Sequence, residues 1–284
     1  MSIQIITDSA SDILPPHRPE ITVLPMTITF GETQYRDGVD LSHHRFYEQM
    51  VESEELPQTS QINPMQFTEA FREQAEAGNV SIAVVISSKL SGTYQSACIA
   101  AADFPEGVYV VDSESAAMGE RILVERALQL ADEGLEASEI VRRLEEEKKN
   151  ICVVALLDTL EYLKRGGRIS KSAAAIGGLL SIKPVVTVKE GEVCLLGKAR
   201  GSKNGNNLLI QEISKTPGID FEKPICLGYA GFSDAMLQKY IGDSRALWED
   251  HVEQLEIGTI GAAIGTHVGP GAFGVAFFKK QCRP

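Results

Sequence analysis

The sequence predicts an α/β protein in two parts. Residues 1–150 read as an N-terminal three-layer α/β/α domain built on a parallel sheet, and residues 151–284 as a smaller two-layer α/β domain with a mixed sheet. Two observations carry this. In the first half short apolar runs alternate with helical patterns, which implies a parallel sheet covered on both faces. In the second half the apolar runs come as hairpins among helices, which implies a mixed sheet with helices on one face. No low-complexity linker divides the halves, so they are expected to share a large interface.

"IQIIT" (3–7) is a short buried strand, and "ITVLPMTITF" (21–30) is a second one, broken by Pro25. "LSHHRFYEQMVESEE" (41–55) reads as a helix. "NPMQFTEAFREQAEAGN" (63–79) is another, with Asn63 placed to cap it and Pro64 at the first helical position. An apolar strand, 80–86, then meets the polar turn Ser87-Ser88-Lys89-Leu90-Ser91-Gly92-Thr93, and a helix follows over 92–103. Strand, small-residue turn and helix is a geometry that offers hydroxyls and free N–H groups to an anion. "VYVVD" (108–112) is the next strand, followed by two acidic-basic amphipathic helices near 117–133 and 138–149.

Beyond the cut, "ICVVALL" (151–157) is a strand, "DTLEYLKRGG" a capped helix, and "SAAAIGGLL" (172–180) a helix rich in small residues. "SIKPVVTVKEGEVCLLGKAR" reads as a hairpin turning at Glu190-Gly191. A strand near 223–231, an amphipathic helix near 233–243 and the apolar stretch 257–278 complete the chain.

Of the 284 residues 43% are hydrophobic and 23% charged, which suits a globular protein with a substantial core. No run of 18 apolar residues occurs, so no transmembrane segment is expected; transient contact with a membrane surface stays compatible with the sequence. The N-terminus has no basic region and meets an acid at Asp8, so it does not read as a signal peptide. The net charge of −12 argues against a nucleic-acid partner. Cys98, Cys152, Cys194, Cys226 and Cys282 form no Cys-x-x-Cys pair and read as reduced residues of a cytoplasmic protein. The five histidines show no ligand spacing, so neither a catalytic metal nor a cofactor is expected.

"GPGAFG" (269–274) matches a dinucleotide fingerprint in letters alone, because a strand rather than a helix follows it. No Walker A sequence and no G-x-S-x-G elbow occurs. Three polar turns remain. "QTSQINP" carries Thr59 and Ser60, "KLSGTYQ" carries Ser91 and Thr93, and "GTHVGPG" carries His267. Each by itself has an ordinary structural role open to it, as a helix cap or a satisfied histidine.

Together, "TDSASDI", "TSQINPMQF", "ISSKLSGTYQSA", "VVDSESAAMG", "LDTLEYLKRGGRIS" and "IGTHVGPGAFGVAFF" resemble the DegV family of bacterial fatty-acid-binding proteins, in order and over nearly the whole chain. The resemblance implies a carrier of a long-chain fatty acid, lodged between the two domains, whose carboxylate a separate fatty acid kinase phosphorylates with its own ATP. It places the carboxylate at Thr59, Ser91 and His267, to which the Gly92 helix start adds backbone N–H groups. Ile62-Asn63-Pro64 departs from the Pro-Ser-Pro of many members without touching these hydroxyls. Ala116, Met118, Ile122, Ile176 and Leu180 are candidates for lining the acyl chain, and equally for ordinary core. The resemblance also implies that arginines in "LKRGGRISK" and "GKARGSK" dock the kinase, which selects Arg165, Arg168 and Arg200. The competing expectation is an acyl-ester hydrolase with Ser91 as nucleophile, His267 as base and Asp8 as the group that orients the histidine.

Overall fold

The computed structural model describes residues 2–53, 55–170 and 182–281. The predicted helix 172–180, and with it Ile176 and Leu180, lies outside the described residues.

The first sheet has four parallel strands: β1 (Ile3–Asp8), β2 (Ile21–Leu24), β6 (Val80–Val85) and β7 (Val108–Asp112), in the order β2-β1-β6-β7. One face carries α2 (Pro64–Glu76) and α3 (Thr93–Ala101); the other carries α4 (Met118–Asp132) and α5 (Ala137–Glu147). Asn63 caps α2 as expected: its side chain accepts from Gln66 N, and the Gln66 side chain accepts from Asn63 N. Pro25 does more than break a strand. Residues 21–24 stay in the parallel sheet, while β3 (Thr27–Phe30) turns into a separate antiparallel sheet with β4 (Thr33–Arg36) and β5 (Gln58–Ser60). Helix α1 (His43–Glu52), capped by Ser42, lies between β4 and β5 in the chain.

The second sheet has six strands: β8 (Ile151–Leu156), β9 (Ile182–Lys189), β10 (Glu192–Arg200), β11 (Ile225–Tyr229), β12 (Ile257–Thr259) and β13 (Phe273–Phe278). Their order is β10-β9-β8-β13-β11-β12, and all neighbours are antiparallel except β11 and β12. The β9–β10 hairpin turns where expected, with Glu190 and Gly191 both at positive φ. Helix α6 (Glu161–Arg165) follows β8, α7 (Gly201–Ser214) covers β8, β9 and β10, α8 (Ala235–Asp243) lies near β13, and α9 (Ala262–Val268) precedes β13.

Alternation along the strands shows how the sheet is covered. Val154, Leu156, Phe273, Val275 and Phe277 face one way, into a core completed by Leu209, Leu237 and Tyr240. Val153, Leu157, Ala276 and Phe278 face the other way, into the core shared with the first sheet. Helix α4 fills the space between the sheets, touching β1 and β6 on one side and β8, β11 and β13 on the other. Its sequence reads as amphipathic, yet Ile122, Leu123, Val124, Ala127 and Leu130 are buried around the helix. Its charges are met inside: Arg126 forks onto Glu147 at 2.8 and 3.2 Å, and Arg121 pairs with Glu125 and Glu256. No helix among the described residues is long and apolar enough to cross a membrane.

Candidate functional site

A cavity of about 400 Å³ opens between the inner face of the second sheet and the carboxyl ends of β1 and β6. The second sheet supplies Val153 and Ala155 from β8, Val186 and Val188 from β9, and Val193 from β10. Period-2 alternation turns these residues inward. Ala116, Ala117 and Met118 close one side at the start of α4, and Ala263, Ile264 and Val268 another along α9. Ile122, a turn further along α4, is fully buried in the core and is not among the lining residues.

One part of this apolar wall is polar. Thr59 comes from β5, Ser91 and Gly92 from the turn before α3, and His267 from the last turn of α9. His267 Nε2 and Thr59 Oγ1 are 3.0 Å apart. Ser91 Oγ is 2.9 Å from Thr93 Oγ1 and accepts from Thr93 N at 3.3 Å. Gln61, which the sequence reading did not select, lies over Gly92 and donates to Ser96 Oγ at 3.1 Å. A β-carbon at Gly92 would meet the end of the Gln61 side chain, which would have to move aside. Gly166 plays the same part beneath His267, where a β-carbon would overlap Nδ1.

Helix α9 is short, and the start of the chain holds it. Asp12 accepts from Gly261 N at 2.7 Å; Asp37 accepts from Ala262 N at 3.1 Å and Ala263 N at 2.9 Å. Both carboxylates are buried against the positive end of the helix that carries His267. Burial pushes the Asp37 carboxyl up, and the neighbouring His43 opposes that shift.

The cavity's electrostatics follow from burial. Desolvation pushes the His267 imidazole down to about 4, and the Arg168 guanidinium pushes it the same way. His267 is therefore neutral at pH 7, with one donor and one acceptor to offer. Arg168 also lines the cavity. Its Nε donates to Leu90 O at 3.2 Å and its Nη1 to Gly166 O at 2.5 Å, which ties the turn before Ser91 to the α6 end. Arg165 is exposed and pairs with Glu161 at 2.8 Å; Arg200 is exposed at the end of β10. No group of three or more His, Cys, Asp or Glu among the described residues is placed to hold a metal ion.

A Ser-His-Asp relay does not form from these residues. Asp8 is wholly buried, and its two oxygens accept from Ala10 N and Ile86 N, each at 2.9 Å. His267 Nδ1 has no hydrogen-bond partner, and Ser91 Oγ is engaged by Thr93. A histidine base needs its far nitrogen held by a third group, and Asp8 is committed elsewhere.

An apolar cavity with a polar end, enclosed between two packed sheets, has the form that small-ligand sites take. The family described as "Uncharacterised protein, DegV family" matches residues 2–280, and the chain belongs to it. A DegV domain-containing protein of Caldanaerobacter subterraneus subsp. tengcongensis is 35% identical, covering 98% of this chain and 99% of its own. Among solved structures, a fatty-acid-binding DegV family protein from Thermus thermophilus is 32% identical with a TM-score of 0.88, over 99% of this chain and 100% of its own. The Fatty Acid Kinase (Fak) B3 protein of Streptococcus pneumoniae, solved loaded with linoleic acid, is 25% identical with a TM-score of 0.85, over 99% of this chain and 100% of its own.

Proposed function

We propose that this chain binds a long-chain fatty acid in the cavity between its sheets and presents the carboxylate to a separate ATP-dependent kinase, which converts it to an acyl phosphate. The observation that carries the reading is an apolar cavity of about 400 Å³ with neutral donors at Thr59, Ser91 and His267 in its wall. A carboxylate taken out of water needs several donors, and hydroxyls, backbone N–H groups and a neutral imidazole supply them. Arg168 adds positive charge beside them. Burying about 14 methylenes at roughly 0.8 kcal/mol each gives on the order of 11 kcal/mol gross, so the chain sets affinity and the polar cluster sets orientation. The likeness to the Thermus thermophilus and Streptococcus pneumoniae proteins supports the ligand, and the latter supports a kinase partner.

In this reading the protein is a carrier without catalysis of its own. Arg165 and Arg200 face outward and, with Arg168, form the basic surface that meets the kinase. Denaturing extraction of purified protein followed by mass spectrometry tests the reading: about one long-chain acid per chain is expected. Protein that carries no lipid and takes up no added oleate overturns it.

A further inference from the structure

A second cavity of about 430 Å³ lies behind the wall of the first. Val153, Thr187 and Val188 line both. The segment 114–117 also divides them: Glu114 and Ser115 line the second cavity, and Ala116 and Ala117 line the first. Glu114 and Ala117 hold positive φ, 49° and 52°, a conformation that ordinary side chains avoid.

Four lysines converge on this second cavity from three places. Lys148 and Lys149 come from the short 3-10 turn before β8, Lys189 from the end of β9, and Lys279 from the residue after β13. Lys148 is already neutralised: it pairs with Glu145 at 2.7 Å and Glu114 at 3.1 Å, and donates to Asp112 O at 2.9 Å. Lys149, Lys189 and Lys279 have no carboxylate partner among the described residues. Glu190 lines the same cleft, so Lys149, Lys189 and Lys279 are set against one further carboxylate and leave a net positive charge there, in a chain whose net charge is −12. A second, independent feature points the same way. Ser115 is 2% exposed, lines this cleft, and its Oγ has no hydrogen-bond partner. A buried hydroxyl is rarely left in that state without a ligand or water to meet it.

We propose that this cleft is a second binding site, for a small phosphate-bearing anion. Lys149, Lys189 and Lys279 supply the charge and Ser115 supplies a hydroxyl donor. Lysine ammonium groups, being point charges, suit a polyanionic phosphate better than the planar carboxylate that an arginine fork recognises. The cavity exceeds what one phosphate fills, which leaves room for an organic group attached to it.

Titration calorimetry of the lipid-loaded protein with pyrophosphate tests the site. Saturable one-to-one binding that weakens as salt rises is expected. Lys149→Gln with Lys189→Gln should weaken it about tenfold or more, the loss of at least one charge-assisted contact. Ser115→Ala should weaken it by a smaller factor. Sedimentation with phosphatidylcholine vesicles containing phosphatidic acid separates the two sources of phosphate. Pyrophosphate binding without vesicle binding assigns a free metabolite, and vesicle binding lost in the double variant assigns a lipid headgroup. Failure to bind both probes, or equal binding by wild type and the double variant, overturns the proposal. Fatty acid content measured on the same samples reports the first cavity separately, so the two readings fail independently.

Discussion

Thr59 and His267 meet across 208 residues of sequence through one contact of 3.0 Å, at a site whose burial favours the neutral imidazole. Under the proposed function, removing the hydroxyl of Thr59 or Ser91 leaves the carboxylate short of a donor. Thr59→Ala and Ser91→Ala are each expected to weaken fatty acid binding by roughly 1–3 kcal/mol, measured by displacement of a fluorescent fatty acid, with the thermal transition little changed. The pH behaviour follows from the direction of two shifts. Burial depresses His267 from 6.5 to about 4, so the stability tied to its neutral form is complete above 6.5 and is lost as pH falls through 4. Burial raises Asp8 from 3.8 to about 6, so its contribution is complete below 3.8 and is lost as pH rises through 6. The slopes oppose each other between these values. The acid-side loss is therefore absent in His267→Gln, whose urea midpoint at pH 4, relative to that at pH 6.5, should be higher than in wild type. A parallel pair of curves would show that His267 does not titrate there. The Ser87–Thr93 turn was legible from the residues as a geometry that suits an anion, but the choice of residues around it was not. Thr59, Ser91 and His267 have no local spacing, and the resemblance of ordered motifs selected them. Gln61 escaped notice because its role depends on lying over Gly92, a tertiary fact.

At the scale of elements, helix α9 depends on partners outside itself. Its seven residues are too few to be stable alone, and its first N–H groups are taken by Asp12 and Asp37. Asp37→Ala leaves two buried N–H groups without acceptors and should cost about 2 kcal/mol or more in urea denaturation. It should also weaken fatty acid binding, because His267 sits at the far end of the same helix. Binding left intact despite the lost stability would show that α9 keeps its place without this anchor. The elements best read from sequence were those with local signals: the Asn63-Pro64 start of α2 and the Glu190-Gly191 turn. Two were missed for physical reasons. Residues 21–30 look like one strand because apolar alternation runs through Pro25, which hid β3 and its partners β4 and β5. Helix α7 begins Gly-Ser-Lys-Asn-Gly-Asn-Asn, a run of weak helix formers, and is held by packing of Leu209 and Ile213 on the second sheet.

For the molecule as a whole, the two parts are joined by α4, which neither sheet owns. Its burial on all sides was hidden by the charges of Glu120, Arg121, Glu125 and Arg126, which read as a solvated face and are instead buried or paired within the fold. Outward charge matters elsewhere. Arg200 is exposed and outside the cavity, so if the proposed kinase partnership holds, Arg200→Glu should leave fatty acid affinity unchanged while slowing acyl phosphate formation, most at low salt and limiting carrier. Turnover equal to wild type under those conditions removes Arg200 from the docking surface.

The second sheet also closes from its middle. Strand β13 lies between β8 and β11, and Phe273 pairs with Leu156. A chain still on the ribosome with residue 260 just made already has its parallel sheet, Thr59 and Ser91, but lacks both His267 and the strand that seals the floor of the cavity. Until then β8 presents an unpaired edge on the side that β13 will take. Under the proposed function, loading with lipid is a late event in the life of each molecule, and nascent chains stalled before β13 should be clients of holding chaperones rather than carriers.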